Sequence, residues 1–357
     1  MAAAKSPKAG IHYPRDWDEL SLWFPDDAAC LDYLEWVRWP EGFVCRRCSA
    51  IGGWRGGDGK WNCSGCKTRT SATAGTIFDR SKVPLTTWFT AAWYVTNQKH
   101  GASALGVKRV TGVAYQTAWT MLHKLRAAMA RPGREPLSGN VEVDETLIGG
   151  VKPGKRGRGA KGKALVAVAV ETKKPKRGYG RIRMEVIPAA EAVHLLGFVK
   201  RNIAPGATVI TDGWKAYARS LPAAGYRHEP INVSKSGKQA HELLPGVHRV
   251  SSLVKRWLLG THQGAVEHAH LQSCLDEFCF RSNRRHSRQR GLLFYRLLQL
   301  AVVTDPVTYD ELRKGLRTTS DARGAYALSP PVPPPSSTPR QPRAPVEGRP
   351  WRQAAPM

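Results

Sequence analysis

Two aspartates stand at the ends of apolar runs, and their placement suits chemistry. Asp144 follows the alternating stretch 141–143, and Asp212 follows the mainly apolar run 207–211. Such runs predict β-strands, and open α/β sheets carry their reactive groups where strands end. Two carboxylates brought together repel each other unless a divalent cation neutralises them. The pair therefore predicts a metal-dependent site.

The chain carries a large excess of positive charge, which bears on what such a site would act upon. Its 357 residues include 55 Lys and Arg against 28 Asp and Glu, a formal net charge of +27. Basic clusters recur in every region, so a solvated basic surface or tail explains the excess less well than a polyanionic partner. Nucleic acid fits through phosphate neutralisation and counterion release. We expect metal-dependent chemistry on DNA, with an RNA-processing nuclease as an alternative that charge does not exclude.

Four cysteines form a second candidate metal site. Cys45 and Cys48 enclose two residues, as do Cys63 and Cys66, and 14 residues separate the pairs. Two such turns supply four thiolates for a tetrahedral zinc ion. Because four protein ligands leave no open position, the predicted Zn²⁺ is structural; a redox pair or a site that has lost its metal are the alternatives. The remaining cysteines are predicted to be core residues: Cys30, Cys274 and Cys279.

The pattern along the chain predicts a multidomain α+β protein. A helical segment at 1–40 precedes a zinc ribbon at 41–75, a helix-turn-helix-like region at 82–132 and a catalytic domain at 138–305. Alternating strands and helices in the catalytic domain predict a mixed α/β sheet. The Pro-rich tail at 317–357 is predicted to be disordered. The predicted elements of the sheet region are strands Val141–Thr146, Ala164–Glu171 and Ile182–Ile187 and a helix at Ala190–Arg201.

The helix-turn-helix candidate is the segment SALGVKRVTGVAYQTAWTMLHKLR, a short helix, a Gly-containing turn and a longer helix. In such a motif the second helix offers side chains to base edges and phosphates. Here Tyr115, Gln116 and Thr120 would face bases, and Lys124 and Arg126 would face phosphates. A plain αα-hairpin has the same outline and remains open.

A Gly-rich basic stretch is the other candidate contact with nucleic acid. Residues 152–163, KPGKRGRGAKGK, interleave six positive charges with glycine. This composition predicts a flexible phosphate-binding hairpin between the first two catalytic strands, and neutralising it should flatten the salt dependence of DNA binding.

The ordered set of motifs resembles the ISXO-like insertion-sequence transposases, which carry an N-terminal zinc ribbon. The motifs are CRRC…CSGC, GTIFDRSKVPLTTWF, YQTAWTMLHKLR, VEVDETLIGG, TDGWKAY and LDEFCFRSNRR, running from about Leu20 to about Leu300. The resemblance implies a ribonuclease-H-like catalytic core with a DDE-type triad and a two-metal mechanism using Mg²⁺ or Mn²⁺. Asp144 falls on the first carboxylate of the triad and Asp212 on the second.

The third position of the triad departs from the family pattern. Alignment on Lys255–Arg256 places His248 where the family has an acidic residue. Lys255 then follows two helical turns later on the same face, where it would hold the DNA end. Histidine ligates Mn²⁺ or Mg²⁺ as neutral imidazole, though it suits hard Mg²⁺ less well than a carboxylate does. Two alternatives stay open: Glu242 takes the role, or this copy is impaired.

The resemblance implies a transposase that binds the terminal inverted repeats of its element and target DNA and catalyses strand cleavage and strand transfer. Such an enzyme would be a homo-oligomer when assembled on DNA ends. A DNA-binding regulator, or an inactivated copy with a non-catalytic core, is the alternative. No apolar run approaches the roughly 20 residues of a membrane span, and no signal peptide is recognisable. We therefore expect no membrane partner and a cytoplasmic, nucleoid-associated protein of bacterial type.

Overall fold

The computed structural model describes residues 7–130, 134–149, 163–172, 178–231, 237, 239–264 and 266–315. They form two compact units, one made of the described residues up to 130 with 287–313, the other of those from 134 to 286 with 314 and 315. The predicted basic hairpin lies outside the described residues except for Lys163, and so does the predicted Pro-rich tail. No helix within the described ranges has the length and hydropathy needed to cross a membrane.

The first unit is mainly helical and includes a small three-stranded sheet, and the second unit is built on a five-stranded sheet. In chain order the helices are α1 (Trp17–Trp23), α2 (Asp27–Arg38), α3 (Leu85–Asn97), α4 (Ala104–Thr111), α5 (Tyr115–Met129), α6 (Ala192–Asn202), α7 (Lys215–Ala218), α8 (Ser220–Ala223), α9 (Ala240–Leu243), α10 (Pro245–His262), α11 (His268–Ser282), α12 (Gly291–Ala301) and α13 (Tyr309–Lys314). The strands are β1 (Gly53–Arg55), β2 (Trp61–Cys63), β3 (Arg69–Thr70), β4 (Asn140–Ile148), β5 (Ala164–Thr172), β6 (Tyr179–Ile187), β7 (Thr208–Thr211) and β8 (Arg227–Pro230).

The helices of the first unit pack around an aromatic core. Asp26 caps α2 by accepting a hydrogen bond from the Ala29 N–H at 2.7 Å, which satisfies a donor that the helix itself cannot. Phe294 of α12 packs against Phe89 and Trp93 of α3, with ring centroids 5.6 and 5.4 Å apart. The sequence assigned α12 to the catalytic domain, but in the structure it belongs to the helical unit. The apolar face of α12 could pack in either unit, and its position in the chain, directly after α11, did not indicate that it packs in the helical unit.

The α4–turn–α5 segment forms the two helices that the sequence predicts. Gly112 ends α4 in the left-handed conformation, with φ of 72°, which glycine adopts without strain. Tyr115 is 50% exposed at the start of α5, and Gln116 is exposed beside it. The expectation for Arg126 is wrong, since only 3% of it is exposed. Arg126 lies on the face of α5 that packs into the bundle, so it is not available to phosphate.

The second unit contains a five-stranded sheet of order β6-β5-β4-β7-β8. Strands β4, β5 and β6 form an antiparallel meander, and β7 and β8 continue the sheet parallel to β4. This is the arrangement of the ribonuclease-H-like core that the resemblance implied. The predicted mixed α+β fold class is confirmed.

Helices cover both faces of this sheet. Val168 of β5 packs with Val254 of α10 and Leu275 of α11 on one face. On the other face Val143 of β4 packs with Phe198 of α6 and Tyr217 of α7. Side chains alternate between the faces along each strand, so Glu142 and Asp144 of β4 point towards α10.

Strand β4 extends beyond the predicted strand Val141–Thr146, and Asp144 does not end it. Strand β4 continues to Ile148 because its antiparallel pairing with β5 runs from Val141 to Ile148. Its parallel pairing with β7 stops at Glu142. Asp144 therefore lies in the middle of its strand, just beyond the point where the neighbouring parallel strand ends. Asp212 directly follows β7, as the sequence predicts.

Candidate active site

The two aspartates come together where β7 ends beside β4. The parallel register pairs Asn140 with Thr208 and Glu142 with Ile210, so two further residues bring Asp144 opposite Asp212. Neighbouring strands lie about 4.8 Å apart. Ile210 packs in the cluster that contains α10, and Asp212 shares its direction by alternation. Both carboxylates are thus directed to the face that α10 covers.

Backbone hydrogen bonds orient each carboxylate. One oxygen of Asp144 accepts the N–H of Glu145 at 2.8 Å. One oxygen of Asp212 accepts the N–H of Trp214 at 3.0 Å, across the turn that follows β7. A carboxylate held by backbone donors needs little reorganisation when a cation binds.

His248, in the first turns of α10, faces the same position. Its Nε2 lies 3.8 Å from Oδ2 of Asp144, beyond hydrogen-bond distance. This nitrogen is buried and has no hydrogen-bond partner among the described residues. Burial, with His241 and Lys255 nearby, lowers the pKa of His248, while Asp212 acts in the opposite direction. The neutral imidazole, the form that ligates metals, is therefore favoured.

The structure also places the other two residues considered for this site. Desolvation and the nearby Lys163 lower the pKa of Lys255, while the Asp144 carboxylate opposes them. Lys255 is thus within electrostatic reach of Asp144. Glu242 is exposed on α9, a separate short helix before α10. His248, and not Glu242, is the residue that lies beside Asp144.

A tyrosine that the sequence analysis did not identify supports the site from the opposite face. The hydroxyl of Tyr217 donates to Oε1 of Glu145 at 2.5 Å, and only 1% of Tyr217 is exposed. Burial, and next the Glu145 carboxylate, raise the pKa of Tyr217 well above its usual range; Asp144 and Asp212 contribute as well. This bond joins α7, which follows the Asp212 turn, to the residue after Asp144. Sequence alternation gives the direction of Glu145 but not its partner.

The donor types at this site are two carboxylates, which suit a hard divalent cation, and one neutral imidazole, which suits Mn²⁺ better than Mg²⁺. The buried Nε2 of His248 without a hydrogen-bond partner among the described residues fits a ligand role. Among the described residues, the group of at least three such side chains placed closely enough to hold a metal ion is the four-cysteine cluster. Mg²⁺ keeps several waters and substrate oxygens around it, so a site for this ion needs few protein ligands.

The four cysteines meet the requirements of a zinc site. Their sulfur atoms all lie within 4.8 Å of one another. The Sγ atoms of Cys45 and Cys66 are 3.6 Å apart, as are those of Cys48 and Cys63. A tetrahedron with Zn–S bonds of about 2.3 Å has edges of about 3.8 Å. The Thr68 hydroxyl and backbone lower the pKa of Cys66 to about 6, which favours the ligating thiolate.

Two models of known families match this chain. Residues 25–69 match the transposase zinc-ribbon domain, and residues 136–283 match the ISXO2-like transposase domain. The chain therefore contains a transposase zinc-ribbon domain and an ISXO2-like transposase domain. Over 212 residues it is also 28% identical to an uncharacterized protein in transposable element ISH50 of Halobacterium salinarum, a match that covers 54% of this chain and 70% of the relative.

The match to the transposase domain includes Asp144, Asp212, His248 and Lys255. The match to the zinc ribbon includes all four cysteines. The family resemblance inferred from the sequence is confirmed, and the ribbon with its cysteine cluster supports structural Zn²⁺ in this protein.

We expect the purified protein to contain about one zinc ion per chain and Cys63→Ser to lose it. Structural zinc contributes about 10–16 kcal/mol in zinc-finger peptides, and that free energy is folding free energy. The ribbon has few core residues of its own, chiefly Phe43, Cys45 and Cys63, so it should become protease-sensitive without metal. Elemental analysis and limited proteolysis measure both effects. Cys274→Ala, which removes a buried cysteine outside the cluster, should keep the zinc; a metal-free parent protein would contradict the assignment.

Proposed function

We propose that this chain is the DNA transposase of an insertion sequence, which binds the terminal inverted repeats of its element and cuts and joins DNA strands with divalent metal. The observation that carries the proposal is the convergence of Asp144, Asp212 and His248 on one face of the transposase-domain sheet. Three ligand-type side chains from β4, the end of β7 and α10 meet there although up to about 100 residues separate them in the chain.

Asp144, Asp212 and His248 would hold the catalytic Mg²⁺ or Mn²⁺. When bound, such ions supply an activated water or 3′-hydroxyl and stabilise the leaving oxygen of a phosphodiester. The protein's part is to keep the three donors in place: the Glu145 and Trp214 amides orient the aspartates, and α10 presents the imidazole. Lys255, near Asp144, would bind a phosphate beside the scissile bond.

Exposed basic residues around the site would guide the DNA strand to it. Two arginines are exposed on α10. Arg249 directly follows His248, and Arg256 directly follows Lys255. Arginine binds phosphate in bidentate geometry and remains charged at all working pH values. The outer side of α10 therefore offers a row of positive charge that begins at the catalytic residues.

The first unit would supply recognition of the DNA ends. Tyr115 and Gln116 at the start of α5 are exposed, as the second helix of a helix-turn-helix requires. In the ribbon, Trp54 is 52% exposed, and the Lys67 ammonium lies 5.3 Å from the centre of its ring. An exposed aromatic ring beside a cation suits contact with nucleic acid. Because transposition joins two element ends, we propose a homo-oligomer on DNA and a second contact with target DNA.

The test is a binding and cleavage assay on DNA taken from the two flanks of the coding region. We expect binding to fragments that carry imperfect inverted repeats, at least about tenfold tighter than to the same fragments with the repeats scrambled. In Mg²⁺ or Mn²⁺ the repeat ends should be cut. Specific binding without cutting in either metal would instead indicate a regulator or an inactivated copy. Cutting of structured RNA in preference to DNA would indicate a nuclease of another class.

A further inference from the structure

Glu142 is a buried carboxylate that the mechanism above does not use. Only 5% of its surface is exposed, although it lies in β4 two residues before Asp144 and on the same face. Its carboxylate accepts the N–H of Val247 at 3.0 Å and also the N–H of Gly246. Burial of a carboxylate is costly unless hydrogen bonds compensate for lost hydration. The hydrogen bonds that the Glu142 carboxylate accepts from the described residues are therefore directed to the start of α10.

Helix α10 cannot cap its own N-terminus. Its N-cap residue is Leu244, whose side chain makes no capping hydrogen bond, and Pro245 follows at the first helical position. Leucine has no acceptor and proline has no N–H. The first backbone N–H groups of the helix that need a partner are thus those of Gly246 and Val247. These two N–H groups donate hydrogen bonds to the Glu142 carboxylate. A strand residue takes the place of the missing cap, and its negative charge also suits the positive end of the helix.

The residue at position 246 fits this arrangement closely. A Cβ at Gly246 would lie 2.8 Å from Oε2 of Glu142 and 3.0 Å from the Tyr179 ring. The first distance is shorter than a Cβ contact allows and the second is tight, so a larger residue at position 246 would displace the Glu142 carboxylate or the start of the helix. The Glu142 contact thus depends on the absence of a side chain at position 246.

The geometry points to Glu142 as a positioning residue that fixes the separation between Asp144 and His248. We propose that its carboxylate, by holding the amides of Gly246 and Val247 against β4, keeps the next residue, His248, in place to share a cation with Asp144. Glu142 lies about 7 Å along β4 from Asp144. On the helix side, Nε2 of His248 lies 3.8 Å from Oδ2 of Asp144. This role in catalysis rests on the proposed function, while the contact itself does not.

The first measurement needs no activity. Amide hydrogen exchange of residues 246–250 in DNA-free protein should be faster in Glu142→Ala than in the parent by about tenfold or more, and Glu142→Gln should recover most of the protection because its amide oxygen still accepts. Mn²⁺ affinity, measured by electron paramagnetic resonance, should fall about tenfold in Glu142→Ala. Gly246→Ala should reproduce both effects. Gly260→Ala, on the same helix with nothing within 4 Å of the added Cβ, is the matched control and should change neither.

The second measurement separates positioning from general stability. At saturating DNA the cleavage rate of Glu142→Ala should fall about 10- to 100-fold, with the DNA Kd within about threefold of the parent and with Glu142→Gln intermediate. The losses in Glu142→Ala and His248→Ala should be less than multiplicative in the double variant, because both disable the same ligand. Unchanged exchange and Mn²⁺ affinity in Glu142→Ala would overturn the proposal, and so would fully multiplicative losses. A parent that cuts no DNA would count against the proposed function alone, and exchange and Mn²⁺ affinity would then decide on Glu142.

Discussion

Asp144→Asn and Asp212→Asn are each expected to abolish DNA strand cleavage while end binding stays within about twofold of the parent. Each substitution removes one of the two negative charges that would neutralise the catalytic cations, yet it keeps the size and shape of the side chain. We expect the cleavage rate to fall on the order of 10³-fold or more, equal to about 4 kcal/mol of lost transition-state stabilisation. Single-turnover cleavage in Mg²⁺ and in Mn²⁺, with a gel-shift measurement of end binding, gives both quantities.

Glu145→Gln is the matched control for Asp144→Asn. It removes a carboxylate from the neighbouring residue of the same strand, but on the opposite face, where Glu145 accepts the hydroxyl of Tyr217. The glutamine oxygen can still accept that bond, so we expect less than about a tenfold change in cleavage. Equal cleavage by the parent and either asparagine variant would rule out the proposed site. An equal loss in all three variants would mean that the effect is structural.

The substitutions at His248 test the residue that departs from the family pattern. If His248 is a ligand, His248→Ala should lose cleavage by at least about 10- to 100-fold, since even indirect partners of metal ligands have effects of that size. His248→Glu should keep or raise activity with Mg²⁺, because a carboxylate suits this hard cation better than imidazole does. The parent should prefer Mn²⁺ over Mg²⁺ more strongly than His248→Glu. Cleavage rates of the three proteins in the two metals measure all of these expectations.

Glu242→Gln serves as the control for this series, because Glu242 is exposed on a separate helix. It should cleave like the parent. If His248→Ala cleaved as well as the parent while Glu242→Gln did not, the acidic role would belong to Glu242. A dead parent that His248→Glu revives would identify an inactivated copy.

The sequence predicts the site where local patterns determine structure. Alternation in β4 gives the faces of Asp144 and Glu145, and the apolar run before Asp212 locates the end of β7. The spacing of the four cysteines predicts the zinc site, because two Cys-x-x-Cys turns together supply four thiolates for one ion. Helical periodicity places Lys255 on the same face as His248.

The rest depends on contacts between distant segments, which no local pattern contains. Strand β4 runs past Asp144 because β5 pairs with it along that length, and this pairing is set by sheet order. The bonds of Tyr217 to Glu145 and of Val247 to Glu142 join residues 72 and 105 positions apart. Arg126 was expected at phosphate because the second helix of a helix-turn-helix offers side chains to DNA, yet the packing of α5 buries it.

The path of the chain has a consequence for how the protein can be divided. The helical unit is discontinuous: it begins the chain, is interrupted by the whole transposase-domain sheet, and resumes at Ser287. Phe294, fully buried against α3, is contributed only after the interruption. A fragment that stops at residue 131 would lack this part of its core. Between residues 1 and 313 the chain passes from the helical unit to the sheet unit and back again, so the sheet unit is inserted at two junctions. Domain exchange between related transposases would have to respect both junctions.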